Sequence, residues 1–331
     1  MISDWLIFAL CAVGIILAGV RLASYGEALG RHLRIGDGWI GLIFLATLTS
    51  IPELTTTVTG AGIGAPNIAV GNAFGSNLFN VVIVVVLDVL LLGRGPFLAK
   101  LRPYHAISGG MAVLLTLFAV LGILLDPQVT ILGISPISFL ILIGYVIGVF
   151  LLFRAERDDP GKGKESPTLP LRKAAIGFFV CGAVIVVAGI FLVRASKAIT
   201  LSSGLSASFM GAILVAIVTS LPELSTSIGA LRIGAYDMIM GNLFGSNMFN
   251  ILTIFFADAA FRHGSIYAGL GEGGLDQLIV ATFGILLTVI VVVGIAVRSR
   301  RRVLGIGVDS AALLVSYLVA TAVIIARGIK F

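Results

Sequence analysis

Charge is what this sequence has least of. Only 11% of its 331 residues are Asp, Glu, Lys or Arg, while 58% are apolar. A typical soluble domain carries about 25% charged residues, so the composition excludes a soluble enzyme or binding module and places nearly all of the chain in lipid. Cysteine is almost missing too. Cys11 and Cys181 are the only two, which excludes a disulfide framework and a cysteine metal site. Both read as small buried hydrophobes. The three histidines, His32, His105 and His263, fall near the ends of apolar runs and read as interfacial. A basic leader with a small-residue cleavage site is also lacking, so Met1 to Val20 reads as a retained first span.

What is present is apolar sequence in runs of about 20 residues, the length that crosses a bilayer. Ten such runs can be marked, at 5–23, 38–60, 67–92, 104–125, 134–153, 173–193, 206–230, 236–261, 275–297 and 303–326. With the N-terminus outside, the inside segments hold 17 Lys and Arg and the outside segments hold 5. That asymmetry predicts both termini on the extracytoplasmic side of the cell membrane. The net charge of +6 is then a topology signal, and no nucleic-acid partner is implied.

The sequence is written twice. A shift of 170 aligns Cys11 with Cys181, Gly41 with Gly211 and Glu53 with Glu223. The same shift aligns Gly71-Asn72 with Gly241-Asn242, Gly75-Ser76-Asn77 with Gly245-Ser246-Asn247, Asn80 with Asn250 and Asp88 with Asp258. One ungapped offset indicates duplication. Five spans per half is an odd number, so the second copy enters the membrane from the opposite side, as in secondary transporters with a site between the repeats. The expected architecture is an all-α membrane protein of ten transmembrane helices in two inverted five-helix repeats. Residues 1–153 form the first repeat, 154–172 a cytoplasmic linker and 173–331 the second. The polar linker is too short for a regulatory domain.

Chemistry concentrates at 46–57 with 71–80, and again at 216–227 with 241–250. Thr49, Ser50 and Glu53 share one helix face, because residues three and four apart stack. Pro52 cannot give an N–H to the carbonyl of Leu48 and disturbs the ladder there. Thr219, Ser220, Glu223 and Pro222 repeat the arrangement. A carboxylate at membrane depth costs at least about 2.5 kcal/mol, so it marks an ion or substrate site with a partner. Carboxylates, hydroxyls and freed carbonyls are the hard oxygen ligands of Ca2+ and Na+. Asn72, Ser76 and Asn80 line one face of the next span, as do Asn242, Ser246 and Asn250. Asn80 and Asn250 either ligate the ion, directly or through water, or join helices. Asn77 and Asn247 lie off that face and read as interhelical hydrogen-bond glue. Gly71 with Gly75 spaces small residues for close helix packing.

Asp88 and Asp258 lie two turns beyond Asn80 and Asn250. They read as interfacial anchors or ion pairs, with Arg262 at i+4 from Asp258, or as vestibule charges that attract cations.

Thr-Ser-x-Pro-Glu-Leu followed by Gly-Asn-x-x-Gly-Ser-Asn-x-Phe-Asn, in both halves, resembles the α-repeats of the calcium/cation antiporter superfamily, closest to its prokaryotic sodium/calcium exchanger branch. The resemblance implies that Glu53 and Glu223 bind Ca2+ and that Thr49 and Thr219 contribute carbonyls. It also implies that Ser50, Ser220, Ser76 and Ser246 help form flanking Na+ sites. Backbone oxygens of Ala46 and Ala216 would complete the outer and inner sites, and Asn80 and Asn250 the central cluster. Three Na+ per Ca2+ is the implied stoichiometry. Relatives often carry Gly where Leu48 and Val218 stand here, and some carry Asp at the position of Asn250. With Asn in both halves, K+ co-transport is disfavoured.

The expected function is therefore Na+/Ca2+ antiport by alternating access, with Ca2+ and Na+ as transported ions. No cofactor, enzymatic role or obligate protein partner is implied. A Ca2+/H+ antiporter is the rival, since protons satisfy the same carboxylates. A channel, and a protease built on Asp88 and Asp258, are weaker rivals.

Overall fold

In lipid every backbone N–H and C=O has to be satisfied within the protein, so long apolar runs fold as helices. The computed structural model describes residues 2–92, 94–125, 129–158, 169–202 and 219–328, and within them it is helical throughout apart from loops and one very short hairpin. In chain order the helices are α1 (Ile2–Leu33), α2 (Asp37–Thr49), α3 (Ile51–Gly62), α4 (Pro66–Leu90), α5 (His105–Leu125) and α6 (Pro136–Asp158). After the linker come α7 (Leu171–Ser202), α8 (Leu221–Arg232), α9 (Tyr236–Ala260), α10 (Gly274–Val297) and α11 (Val308–Arg327). Among the described residues, eight helices are long and apolar enough to cross a membrane, and nine if α2 and α3, bent by 47°, count as one span. The seventh expected span, 206–230, is described only from Thr219 onward.

Several helices outrun the apolar segments that announce them. α1 continues ten residues past 23, because Arg31 Nη2 pairs with Glu27 Oε1 at 2.6 Å one turn earlier. Such i,i+4 pairs support a polar helix end. The tenth segment starts late instead. Arg302–Val303 (β1) and Ile306–Gly307 (β2) pair as a hairpin, turned by Leu304 and Gly305 at φ 53° and 89°, and the helix begins only at Val308.

The offset of 170 carries over into backbone geometry. α3 and α8 each start after a serine, Ser50 at φ −96°, ψ 8° and Ser220 at −90°, 7°, and each has its proline in the first turn. Their following turns place Gly64 and Gly234 at φ 78° and 77°, and α4 and α9 then start and stop 170 positions apart.

α9 is the centre of the bundle. It packs against α2, α3, α4, α5 and α6, and 89% of its apolar window is buried, against 22% for the peripheral α11. Close approach to α2 depends on glycine. A Cβ on Gly41 would strike the carbonyl of Met238 and lie 2.8 Å from the Asn242 nitrogen, and one on Gly245 would lie 2.6 Å from the Leu42 oxygen. The small-residue pair of the second repeat thus lets two backbones touch. α1 lies along α7 and α8, with Gly229 of α8 against the backbone of Val20.

One histidine departs from expectation. His105 is 1% exposed, its Nε2 3.1 Å from Asp237 Oδ1, so it is a packed residue rather than an interfacial one. Glu156 is buried as well, and its Oε1 accepts from Gly38 N at 2.9 Å and Tyr104 Oη at 3.1 Å.

Asp88 and Asp258 do not make the expected surface contacts. Asp88 is 2% exposed and Asp258 is 0% exposed. Asp88 accepts from Phe97 N at 2.7 Å and Gly307 N at 2.6 Å. Both oxygens of Asp258 are taken by Ile266 N at 2.8 Å, Ser135 N at 2.7 Å and Ser138 Oγ at 2.6 Å, not by Arg262. Each acid pins the loop that follows its own helix and also the start of the last helix of the opposite half. Backbone N–H groups at those helix starts have no intrahelical acceptor, so a buried carboxylate satisfies them.

Candidate ion-binding site

The site forms where two helix breaks meet two asparagine-bearing helices. The Thr49–Ser50 step ends α2, and Ile51 starts α3 at the 47° bend. Pro52 suits the first turn of the new helix, where its missing N–H is no loss. The break therefore falls two residues before the proline. Glu53 and Glu223 then occupy the first turns of α3 and α8, where unpaired N–H groups and the helix dipole favour a negative charge.

Both carboxylates are buried, Glu53 at 1% and Glu223 at 0% exposure, and each lies within reach of the other's charge. Their surroundings differ. Glu223 Oε1 accepts from Ser50 Oγ at 3.2 Å and Ser246 Oγ at 3.3 Å, so one hydroxyl comes from each half. Glu53 has no hydrogen-bond partner on either oxygen, and Ser220, the equivalent of Ser50, has none on its hydroxyl. Thr49 Oγ1 lies 3.4 Å from Ser246 Oγ, Asn242 Oδ1 and the Ala46 carbonyl. That carbonyl also accepts from Ser50 N at 3.0 Å. Ser76 and Thr219 are buried as well. Ala216 and Val218 lie outside the described residues.

The asparagines divide into three jobs. Asn72 donates to Thr57 Oγ1 at 2.9 Å and to the Glu53 carbonyl at 3.2 Å, while Asn242 donates to Thr226 Oγ1 at 3.0 Å. These tie α4 to α3 and α9 to α8. Asn77 donates to the Asn247 carbonyl at 3.1 Å across the repeat, the interhelical role expected of it. Asn80 donates to Asn247 Oδ1, and Asn250 to Asn77 Oδ1, both at 3.1 Å. The oxygens Oδ1 of Asn80 and Asn250 are left buried without a partner.

The buried, unpartnered oxygens of the motif segments are thus both oxygens of Glu53, Oε2 of Glu223, Oδ1 of Asn80 and Asn250, and the hydroxyls of Ser220 and Ser227. An unmatched buried acceptor costs about 1–3 kcal/mol, more when charged. A bare or partly dehydrated cation needs several such oxygens at once. Among the described residues no three His, Cys, Asp or Glu side chains come together as a metal cluster, so a cation here depends on hydroxyl, amide and carbonyl oxygens beside the two carboxylates. The bent helices bring Ser50 and Ser246 onto Glu223, and Glu53, Asn80 and Asn250 carry buried oxygens without partners.

Leu48 stands on the face of α2 turned to α7, where a Cβ at Gly182 would lie 2.7 Å from Leu48 Cδ1. The bulk of Leu48 is matched by a glycine opposite, a compensation that sequence alone does not reveal.

The family described as sodium/calcium exchanger protein matches residues 3–154 and 173–326. CaxA of Alkalimonas amylolytica, which carries the name of an antiporter, is 29% identical over 290 residues, covering 85% of this chain and 88% of its own. The sodium/calcium exchanger MaX1 of Methanosarcina acetivorans is 26% identical over 292 residues, covering 76% and 81%. The sodium-calcium exchanger NCX_Mj, in crystals soaked with 2.5 mM Na+ and 0.1 mM Ca2+, shares the fold with a TM-score of 0.74 at 22% identity, covering 97% of this chain and 98% of that one.

Proposed function

The chain belongs to the sodium/calcium exchanger family of cation antiporters, and from that premise we propose that it exchanges Na+ for Ca2+ across the cell membrane at a site built on Glu53 and Glu223. The observation that carries this reading is the set of buried, unpartnered oxygens contributed by both halves. Hard oxygens of that number and kind suit Ca2+ and Na+.

Ten spans in two inverted sets of five, with both termini extracytoplasmic, put the two acids on opposite sides of a pseudo-two-fold axis near the bilayer midplane. The constant offset of 170 in helix bounds and break geometry supports that plan. The excess of Lys and Arg on one side supports the orientation.

Mechanistically, a Ca2+ neutralises both carboxylates. Leaving without a replacement would strand two charges in a poorly solvating interior, which is strongly unfavourable. The site therefore closes on Ca2+ or on at least two Na+, and alternating access couples the two fluxes through this charge requirement. Ser50 and Ser246 hold Glu223 while Glu53 offers both oxygens free, so Glu53 is the ligand that closes on the incoming cation.

The test is Ca2+ uptake into proteoliposomes under an imposed Na+ gradient, with a parallel arm under a pH gradient. Na+-driven uptake is expected, with Glu53→Gln and Glu223→Gln each reducing it to background. Uptake driven by the pH gradient and indifferent to Na+ would establish the Ca2+/H+ alternative. Undiminished flux in the double glutamine variant would refute the site.

A further inference from the structure

The oxygens of Asn80 and Asn250 are left buried and unpartnered because of two neighbouring residues, Asn77 and Asn247. A backbone carbonyl can only accept a hydrogen bond. The Asn247 carbonyl takes one from Asn77 at 3.1 Å, so the end of the Asn77 amide facing it has to be Nδ2. The other end is then Oδ1, which can likewise only accept. It lies 3.1 Å from the side chain of Asn250, whose facing atom is therefore Nδ2. The remaining atom of Asn250 is its oxygen, buried and unpartnered. Turning Asn250 round would set oxygen against oxygen at that contact. Turning Asn77 as well would move the same conflict to the Asn247 carbonyl.

The second half repeats the chain of constraints. Asn247 Nδ2 faces the Asn77 carbonyl at 3.5 Å, and Asn247 Oδ1 accepts from Asn80 at 3.1 Å, leaving Asn80 Oδ1 unpartnered. Asn77 is 7% exposed and Asn247 is 1% exposed, so water does not compete for these bonds. An amide with a free choice offers oxygen or NH2 with little difference in energy, and an NH2 group repels a cation. Here the choice is made by a backbone carbonyl one turn away in the asparagine's own half, relayed through a side-chain amide of the opposite half.

We propose that Asn77 and Asn247 are positioning residues for the transported cation, each fixing the amide of the other half's asparagine so that Asn250 and Asn80 offer oxygen. The proposal rests on the site described above. It adds that the ligand set is assembled crosswise, with each half setting the orientation of the other's ligand. Groups that orient metal ligands alter affinity by roughly 10–100-fold when removed.

A structural joint and an orienting device differ in one background. In Asn250→Asp both terminal atoms are oxygens, so nothing is left to orient, and Asn77 Oδ1 then faces an oxygen in place of a donor. The half-saturating Ca2+ concentration for uptake is measured for wild type, Asn77→Leu, Asn250→Asp and the double variant, and Ca2+-induced thermal stabilisation is measured in detergent. Asn77→Leu is expected to raise the half-saturating concentration roughly 10–100-fold when Asn250 is intact. Added to Asn250→Asp, it should raise that concentration less than about three-fold, an energy difference below about 0.7 kcal/mol, or lower it by removing the facing oxygen. An equal effect in both backgrounds would make Asn77 a packing residue, and no effect in either would remove it from the site altogether. If the leucine variant does not fold, Asn77→Ser, too short to reach Asn250, releases the same amide. Loss of all flux in Glu53→Gln and Glu223→Gln alongside an unaffected Asn77→Leu would overturn this proposal and leave the carboxylate site standing.

Discussion

Replacing Asp258 by Asn separates a structural clasp from a cation-attracting charge. The carboxylate accepts three buried hydrogen bonds, from Ser135 N, Ser138 Oγ and Ile266 N, at 2.6–2.8 Å. An asparagine retains one acceptor. In its better orientation the oxygen keeps Ser135 and Ser138, and the new NH2 faces the Ile266 N–H. One charge-assisted bond is lost, worth about 1.5–3 kcal/mol, and one buried N–H is stranded, at about 1–3 kcal/mol. The sum is about 2.5–6 kcal/mol, a large share of a typical folding free energy. Thermal unfolding of the purified protein in detergent reads this out as a clear loss of stability for Asp258→Asn. Asp88→Asn should show a similar loss, since its two oxygens each hold one backbone N–H. In the fraction that remains folded, the half-saturating Ca2+ concentration should be unchanged, because neither acid has an oxygen to spare for a cation. The opposite pattern, normal stability with weaker Ca2+ uptake whose deficit against wild type shrinks at high ionic strength, would mean that the aspartates act as vestibule charges and that they clasp nothing.

Substitutions at two glycines test the packing around the site. Gly182→Ala pushes a methyl against Leu48, 2.7 Å from Cδ1, and should lower stability by about 1–3 kcal/mol. Adding Leu48→Ala should restore most of it in a double-mutant cycle, and strict additivity would show that the two residues are not partners. Gly41→Ala drives a methyl into the backbone of Met238 and Asn242, where no rotamer change relieves it. We expect reduced thermal stability and reduced Na+-driven uptake, and wild-type values for both would contradict the close approach of α2 and α9.

Much of this architecture is written in one dimension. Duplicated motifs at a fixed offset locate Glu53, Glu223 and the two asparagine faces, because chemistry that violates a lipid environment stands out against an apolar background. Other features depend on partners far away in the chain and carry no local mark. Asp88 meets Gly307, 219 positions on, and Asp258 meets Ser135, 123 positions back, so Arg262 near Asp258 is a misleading guide. Gly182 answers Leu48 only once α7 lies on α2. Helix ends are blurred for a different reason: Glu27 and Arg31 extend α1 by pairing with each other, after the hydropathy signal has ended. The bend is displaced too. Proline is visible in the sequence, but whether it closes one helix or opens the next is settled by packing, and here Pro52 opens α3.

The crossed clasps of Asp88 and Asp258 bear on how such a protein is made. A half-length polypeptide ending at the linker would carry Asp88 with no Gly307 amide to receive it, and a Ser135 amide with no Asp258. Produced alone, such a fragment has to find a second copy facing the other way, or be degraded. Two fragments made together from separate messages should reconstitute a working exchanger, because the bonds that join them run between halves rather than along the chain.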